Sequence, residues 1–170
     1  MSTPPDVDPE DWGVWLAYFR GARELIAALD RRLQDDAGLS HPEYLVLLGL
    51  WQAPDHTLRT GELAERLMWE KSRVSHQVSR MEARGLLARR ECETDGRGVM
   101  VTLTDDGERL FQTATPDHIT AIREWFLDPL DAEEKAVVGR VSQRMRGILG
   151  TGLGVALGFF LFPFVFPPPP

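Results

Sequence analysis

A change of hydrophobic period inside one short stretch, Thr60 to Leu103, constrains this chain more than any other feature. Residues 61–67 place Leu63, Ala64 and Leu67 on one face of a short helix, with Thr60 positioned as its N-cap. Residues 71–84 set Val74, Val78 and Met81 at i, i+4 and i+7, so a second helix buries one stripe and leaves the opposite face free. That free face carries Ser72, Arg73, Ser75, His76, Ser79 and Arg80. Only Met68-Trp69-Glu70 separates the two helices, the tight connection of a helix-turn-helix. After Gly85, a C-cap residue, the pattern changes to that of strands: 87–92 and 99–103 flank a Glu93-Thr94-Asp95-Gly96-Arg97-Gly98 hairpin with Arg97 at its tip. The fold expected is mainly α with a small β-hairpin wing, a winged helix-turn-helix. A polar helix face suits the wide major groove of DNA, and an arginine on a projecting loop suits the minor groove or the phosphates.

The net charge of −7 is at first sight wrong for a DNA-binding protein, so its distribution matters. Between Arg66 and Arg97 eight Arg or Lys stand against five Asp or Glu, a local balance of +3 that leaves −10 on the remainder. A basic module in an acidic body keeps the footprint on nucleic acid local. At 170 residues and 43% hydrophobic content the chain supports one ordinary core. The one cysteine, Cys92, excludes an intramolecular disulfide and a Cys-rich zinc site, and suits a reducing compartment. Residues 1–11 lack the basic and apolar regions of a signal peptide, so a cytoplasmic location is expected.

Along the chain, residues 1–10, with three prolines and three acids, are expected to be disordered. From Asp11 to about Asp35, Trp12, Trp15, Leu16, Phe19, Ala22, Ile26, Leu29 and Leu33 recur at three or four, giving a long aromatic-faced helix (segment 11–36) suited to a partner in another subunit. Ser40 and Glu43 form a capping box for a nearly all-apolar helix that reaches about Gln52 and opens the DNA-binding segment, 37–103. Thr104 caps the next helix, which carries Pro116 and an expected kink; Asp131 caps the last, with Val137, Val138, Val141, Met145 and Ile148. Segment 104–148 completes the interlocking ends of a homodimer.

These residues carry a resemblance. The run LAERLMWEKSRVSHQVSRMEARGLLARRECETDGRG, the phrase Glu82-Ala83-Arg84-Gly85-Leu86, the wing tip Asp95-Gly96-Arg97 and Leu103-Thr104-Asp105-Asp106-Gly107 make 11–148 similar to the MarR family of bacterial transcriptional regulators. The resemblance implies a homodimer on a pseudo-palindromic operator, usually a repressor released by a small molecule or oxidant. It implies that Lys71, Ser72, Arg73, Ser75, His76, Gln77 and Arg80 meet bases and phosphates of double-stranded DNA. Arg97 would enter the minor groove, oriented by Asp95. It also implies an effector pocket between dimer helices and DNA-binding lobe, for which Trp15, Tyr18, Phe19, Trp51 and Trp69 are candidates, although each serves equally well as core. The turn departs from the family pattern, with Met68 where many relatives have Gly and Glu70 where Ser or Thr is usual.

Other chemistry finds little support. Hydroperoxide-sensing members use a cysteine on the first long helix, where this chain has none, and Cys92 lies between Glu91 and Glu93, which disfavour a thiolate. Glu24, His41 and His118 could be arranged as in a zinc-sensing branch, but the histidines lack a chelating spacing, and neither metal nor cofactor is expected. No nucleophile–base pair or phosphate-cradling loop points to an enzyme. The apolar run from Ile148 to Phe166, within tail 149–170, holds Gly150, Gly154 and Gly158 at four-residue spacing. Three readings fit it: a membrane anchor, a segment folded back on the dimer, or a weakly ordered extension. The anchor underlies a second functional reading, a winged-helix scaffold for proteins near a membrane.

Overall fold

The computed structural model describes residues 6–91 and 98–149. Cys92, the wing-tip Asp95 and Arg97, and the tail from residue 150 lie outside the described residues. Among the described residues six α-helices and three short strands follow in the order α1 (Pro9–Ala37), α2 (His41–Trp51), β1 (Thr57–Arg59), α3 (Thr60–Leu67), α4 (Lys71–Ala83), β2 (Leu87–Glu91), β3 (Val99–Leu103), α5 (Asp105–Ile122) and α6 (Ala132–Ile148). A 3-10 turn over Pro54–His56 precedes β1, and a π-helical turn over Arg123–Leu127 joins α5 to α6. This is the mainly helical winged helix-turn-helix expected from the pattern.

The helix boundaries follow side-chain chemistry. Asp8 accepts the Glu10 N–H at 2.8 Å, so α1 starts at Pro9 and the expectation of disorder through residue 10 is corrected at its end. Gly38 closes α1 at φ +62°, a left-handed turn that favours glycine. The Ser40/Glu43 capping box opens α2 as expected, Thr104 caps α5 through the Gly107 N–H at 3.1 Å, and Asp131 caps α6 through the Glu134 N–H at 2.8 Å. Thr60 does not cap α3: Arg59 holds the N-cap position, its N–H donating to Glu62 Oε2 at 2.9 Å, while the Thr60 hydroxyl donates to the Val99 carbonyl at 3.0 Å. α5 continues through Pro116 to Ile122 as one helix.

Strand β1 is absent from the sequence reading. It pairs antiparallel with β3, which pairs in turn with β2, so the wing hairpin is anchored at its base by a third strand in the order β1-β3-β2. Leu58 lies opposite Val101 in that register, and both are buried. Around this sheet the core gathers Leu33, Leu39, Val46, Leu47 and Leu50, Leu63 and Leu67, Val74, Val78 and Met81, and Phe111 and Ala114. Both helices of the helix-turn-helix therefore rest on α2, and α5 closes the far side.

One close approach fixes the junction of α4, β2 and α5. Gly107, two residues into the first turn of α5, lies against the Leu86 backbone: a Cβ there would stand 2.1 Å from the Leu86 carbonyl oxygen. The same carbonyl accepts the Thr104 N–H at 3.2 Å, so neither partner can retreat without breaking the entry to α5. The variant Gly107→Ala is expected to lose about 1–3 kcal/mol of stability, as overpacking against a fixed backbone does. A chemical-denaturation midpoint unchanged from wild type would contradict it.

Candidate nucleic-acid interface

α4 presents two unlike faces. Val74, Gln77, Val78 and Met81 are buried, and Lys71, Ser72, Arg73, Ser75, His76, Ser79 and Arg80 are exposed. Gln77 is corrected by this: at 3% exposure it belongs to the inner stripe, three residues after Val74, and its Oε1 accepts from Arg80. The exposed set forms one continuous polar surface beside the base of the wing. An open groove between α4, the start of α3 and the wing is lined by Arg59, Glu62, Lys71, Ser75 and Arg89. Asp95 and Arg97 complete the expected interface but lie outside the described residues.

The basic residues of the region divide into those held by partners and those left open. Arg89 donates from Nε and Nη2 to the single oxygen Glu82 Oε2, and from Nη1 to Ser79 Oγ at 3.2 Å. Arg66 donates to the Gly49 carbonyl at 2.8 Å, tying α3 to α2. Arg84 donates to Glu43 Oε1 at 2.5 Å and to the Gly38 carbonyl at 3.0 Å. Glu43 is 8% exposed and also accepts the Ser40 N–H and hydroxyl, both at 2.8 Å. Burial alone would raise its pKa, but the Ser40 donors and the Arg84 guanidinium outweigh that and hold it below the ordinary value. The end of α1, the start of α2 and the end of α4 are thereby clamped at one carboxylate.

The turn before α4 accommodates both Met68 and Glu70. Met68 sits in the left-handed region at φ +54°, a conformation that favours glycine, and is 67% exposed. Glu70 occupies the N-cap position of α4 without a side-chain cap hydrogen bond.

The five aromatic residues expected to line an effector pocket fall into separate groups within one protomer. Trp15, Tyr18 and Phe19 pack on one another along α1 and are each 42–53% exposed. Trp51 stacks on His56 at 4.6 Å and contacts Phe111, while Trp69 lies under Arg73. Of the residues weighed for a metal, His41 and His118 do come together: His118 of α5 meets Tyr44 at 4.4 Å and His41 at 6.0 Å between ring centroids. His41 donates its backbone N–H to Asp30 Oδ1 at 2.6 Å, and the Tyr44 hydroxyl donates to Thr115 Oγ1 at 3.4 Å. The Nδ1 atoms of His41 and His118 are buried without a hydrogen-bond partner among the described residues. No group of three or more metal-binding side chains occurs among the described residues, and Glu24 is exposed on α1.

Burial, and then the neighbouring His41, lower the His118 pKa from 6.5 to about 4, so the folded protein keeps the ring neutral where the unfolded chain protonates it. Protons are taken up on unfolding between those values. The His118 contribution to stability is thus full above about pH 6.5 and is lost as pH falls towards 4. In urea melts, His118→Phe is expected to flatten the stability decline between those limits; an unaltered slope would contradict this. Glu43 acts lower on the scale: its depressed pKa gives stability that is present at neutral pH and lost as pH drops through the folded value. Glu43→Ala is expected to cost about 1–3 kcal/mol at pH 7, with a smaller deficit once acid has protonated the wild-type carboxylate.

Comparison with known proteins places this arrangement. A family model described as MarR family matches residues 39–99, which hold α2, the helix-turn-helix and the wing up to β3. A MarR family transcriptional regulator from Streptomyces coelicolor, solved in complex with DNA, superposes with a TM-score of 0.81 at 34% identity, over 91% of this chain and 94% of that one. The HTH-type transcriptional regulator PecS of Dickeya dadantii is 30% identical over 147 residues, 83% of this chain and 87% of the relative. The organic hydroperoxide resistance transcriptional regulator of Bacillus subtilis is 35% identical over 82 residues, a match that spans 54% of the length of that relative.

Proposed function

This chain belongs to the MarR family of winged helix-turn-helix transcriptional regulators and is not an enzyme, and we propose from that premise that it is a homodimeric repressor of a pseudo-palindromic operator, released by a small-molecule effector. α4 is the recognition helix and enters the major groove, with Lys71, Ser72, Arg73, Ser75, His76 and Arg80 facing bases and phosphates. Arg97 reaches the adjacent minor groove from the wing tip, with Asp95 orienting it. The observation that carries the reading is the continuous exposed polar face of α4, held on the core by a buried stripe and set beside the base of a wing.

Two further exposed faces support the dimer. On α1, Val14, Trp15, Tyr18, Phe19 and Ile26 are 42–67% exposed; on α6, Val137, Val138 and Val141 are 38–46% exposed, and α6 buries none of its side chains within the protomer. Apolar surface of this extent at both ends of one chain suits a second copy that interlocks with the first. The local charge balance of +3 is modest, so affinity depends on two reading heads held at a fixed spacing. An effector then acts by changing that spacing. The alternative, a membrane-tethered scaffold, draws on the apolar tail, which lies outside the described residues; no helix among the described residues is long and apolar enough to cross a membrane.

The test combines assembly with binding. Light scattering is expected to give about twice the 19.2 kDa chain mass for wild type and a monomer for Val141→Glu. Titration against DNA from upstream of its own gene is expected to show tight, steeply salt-dependent binding, lost by Arg97→Ala and weakened more than tenfold by Val141→Glu. A wild-type monomer, or binding indifferent to salt and to Arg97→Ala, would overturn the proposal.

A further inference from the structure

Arg73 differs from the other arginines around α4 in what holds it. Arg84 and Arg89 spend their donors on carboxylates, and Arg80 donates to Gln77. Arg73 makes no hydrogen bond or ion pair among the described residues; its guanidinium carbon lies 4.0 Å from the ring centroid of Trp69. A guanidinium held on an aromatic face is steadied through its π surface, which leaves the N–H donors around its edge open.

Trp69 is itself fixed. Its backbone N–H donates to the Ala64 carbonyl at 2.9 Å, closing the end of α3 beyond the left-handed Met68, and its ring is half-buried against the core. The ring is therefore part of the helix-turn-helix frame, and it orients Arg73 relative to that frame rather than following it.

The position of Arg73 runs against local stability. Lys71 and Arg73 occupy the first turn of α4, where the helix dipole disfavours cations, and no acidic residue is present in that turn. Glu70 at the N-cap is the one acid beside that turn and makes no side-chain cap hydrogen bond, so two cations in the first turn suit an anion or acceptor brought from outside the chain. The N-terminal residues of a recognition helix are also those that meet base edges.

We propose that Trp69 is a positioning residue that presets Arg73 for bidentate recognition of the O6/N7 edge of a guanine in the major groove. The proposal rests on α4 being the recognition helix, and it assigns Trp69 to DNA reading instead of an effector pocket. Its chemistry is specific: the open, planar fork matches two acceptors on one base, and the ring fixes the plane in which the fork is offered. Contact with phosphate alone would need only the charge.

The experiment selects sites for the full-length protein from a random duplex library, then measures affinity for the selected site and for versions with each G·C pair replaced. Failure of the wild type to enrich any sequence would defeat the functional reading itself, separately from this inference. Given enrichment, Arg73→Ala is expected to abolish the preference for one symmetric G·C pair, a loss of about tenfold to a hundredfold in discrimination. Arg73→Lys is expected to lose the same preference while keeping the salt slope. Trp69→Leu retains an apolar side chain without the π face and is expected to weaken discrimination at that same base pair, with no additional loss in the double variant with Arg73→Ala. Trp69→Phe, which also serves if Trp69→Leu does not fold, is expected to give a preference between wild type and Arg73→Ala. The inference is overturned if Arg73→Ala weakens all sequences equally and lowers the salt slope by about one, if the two losses add independently, or if Trp69→Phe discriminates like wild type.

Discussion

The relative placement of α1, α2 and α4 depends on how one nearly buried carboxylate is satisfied. Glu43 lies where α1 ends, α2 begins and α4 ends, and it is tolerated there because the Ser40 N–H, the Ser40 hydroxyl and Arg84 all donate to it. Arg84 in turn reaches the Gly38 carbonyl at the close of α1. A buried charge is costly unless its lone pairs are filled, so this set of contacts holds together or fails together. The Arg84-Gly85-Leu86 part of the family phrase has a physical content here: Arg84 grips Glu43, Gly85 supplies a φ of +76°, and the Leu86 carbonyl abuts Gly107.

That clamp bears on function because α1 and α4 have different tasks. α1 leaves an aromatic face uncovered, and α4 leaves a polar one. A rigid connection between their ends means that the distance between two copies of α4 would be set by how two copies of α1 and α6 pack. The pair His41 and His118 lies close by, where α2 meets α5, with Asp30 of α1 bonded to the His41 backbone. Its buried Nδ1 atoms, like the Trp12 Nε1, lack hydrogen-bond partners among the described residues, which makes the pair a point of low polar satisfaction.

Much of this was legible in the residues. Helix starts at Ser40, Thr104 and Asp131 carry their own capping chemistry, and β3 falls on Val99–Leu103 as the alternation indicates. What was not legible came from long-range pairing. β1 is three residues long, too short for periodicity, and exists because Thr57, Leu58 and Arg59 meet the far edge of β3. Gln77 is buried by its spacing from Val74 and Met81, against what its polar character indicates. Aromatic type does not say which neighbour each ring meets: Trp51 meets Phe111, and Trp69 meets Arg73.

The central claim is that two copies of α4, held at a fixed separation by the helices at the ends of the chain, read one operator. Hydroxyl-radical footprinting of the purified protein on its selected site tests this most directly. The account requires two protected half-sites on one face of the duplex, centred about 10 base pairs, or a small multiple of that, apart. A single unpaired half-site, or uniform protection without periodicity, would contradict it.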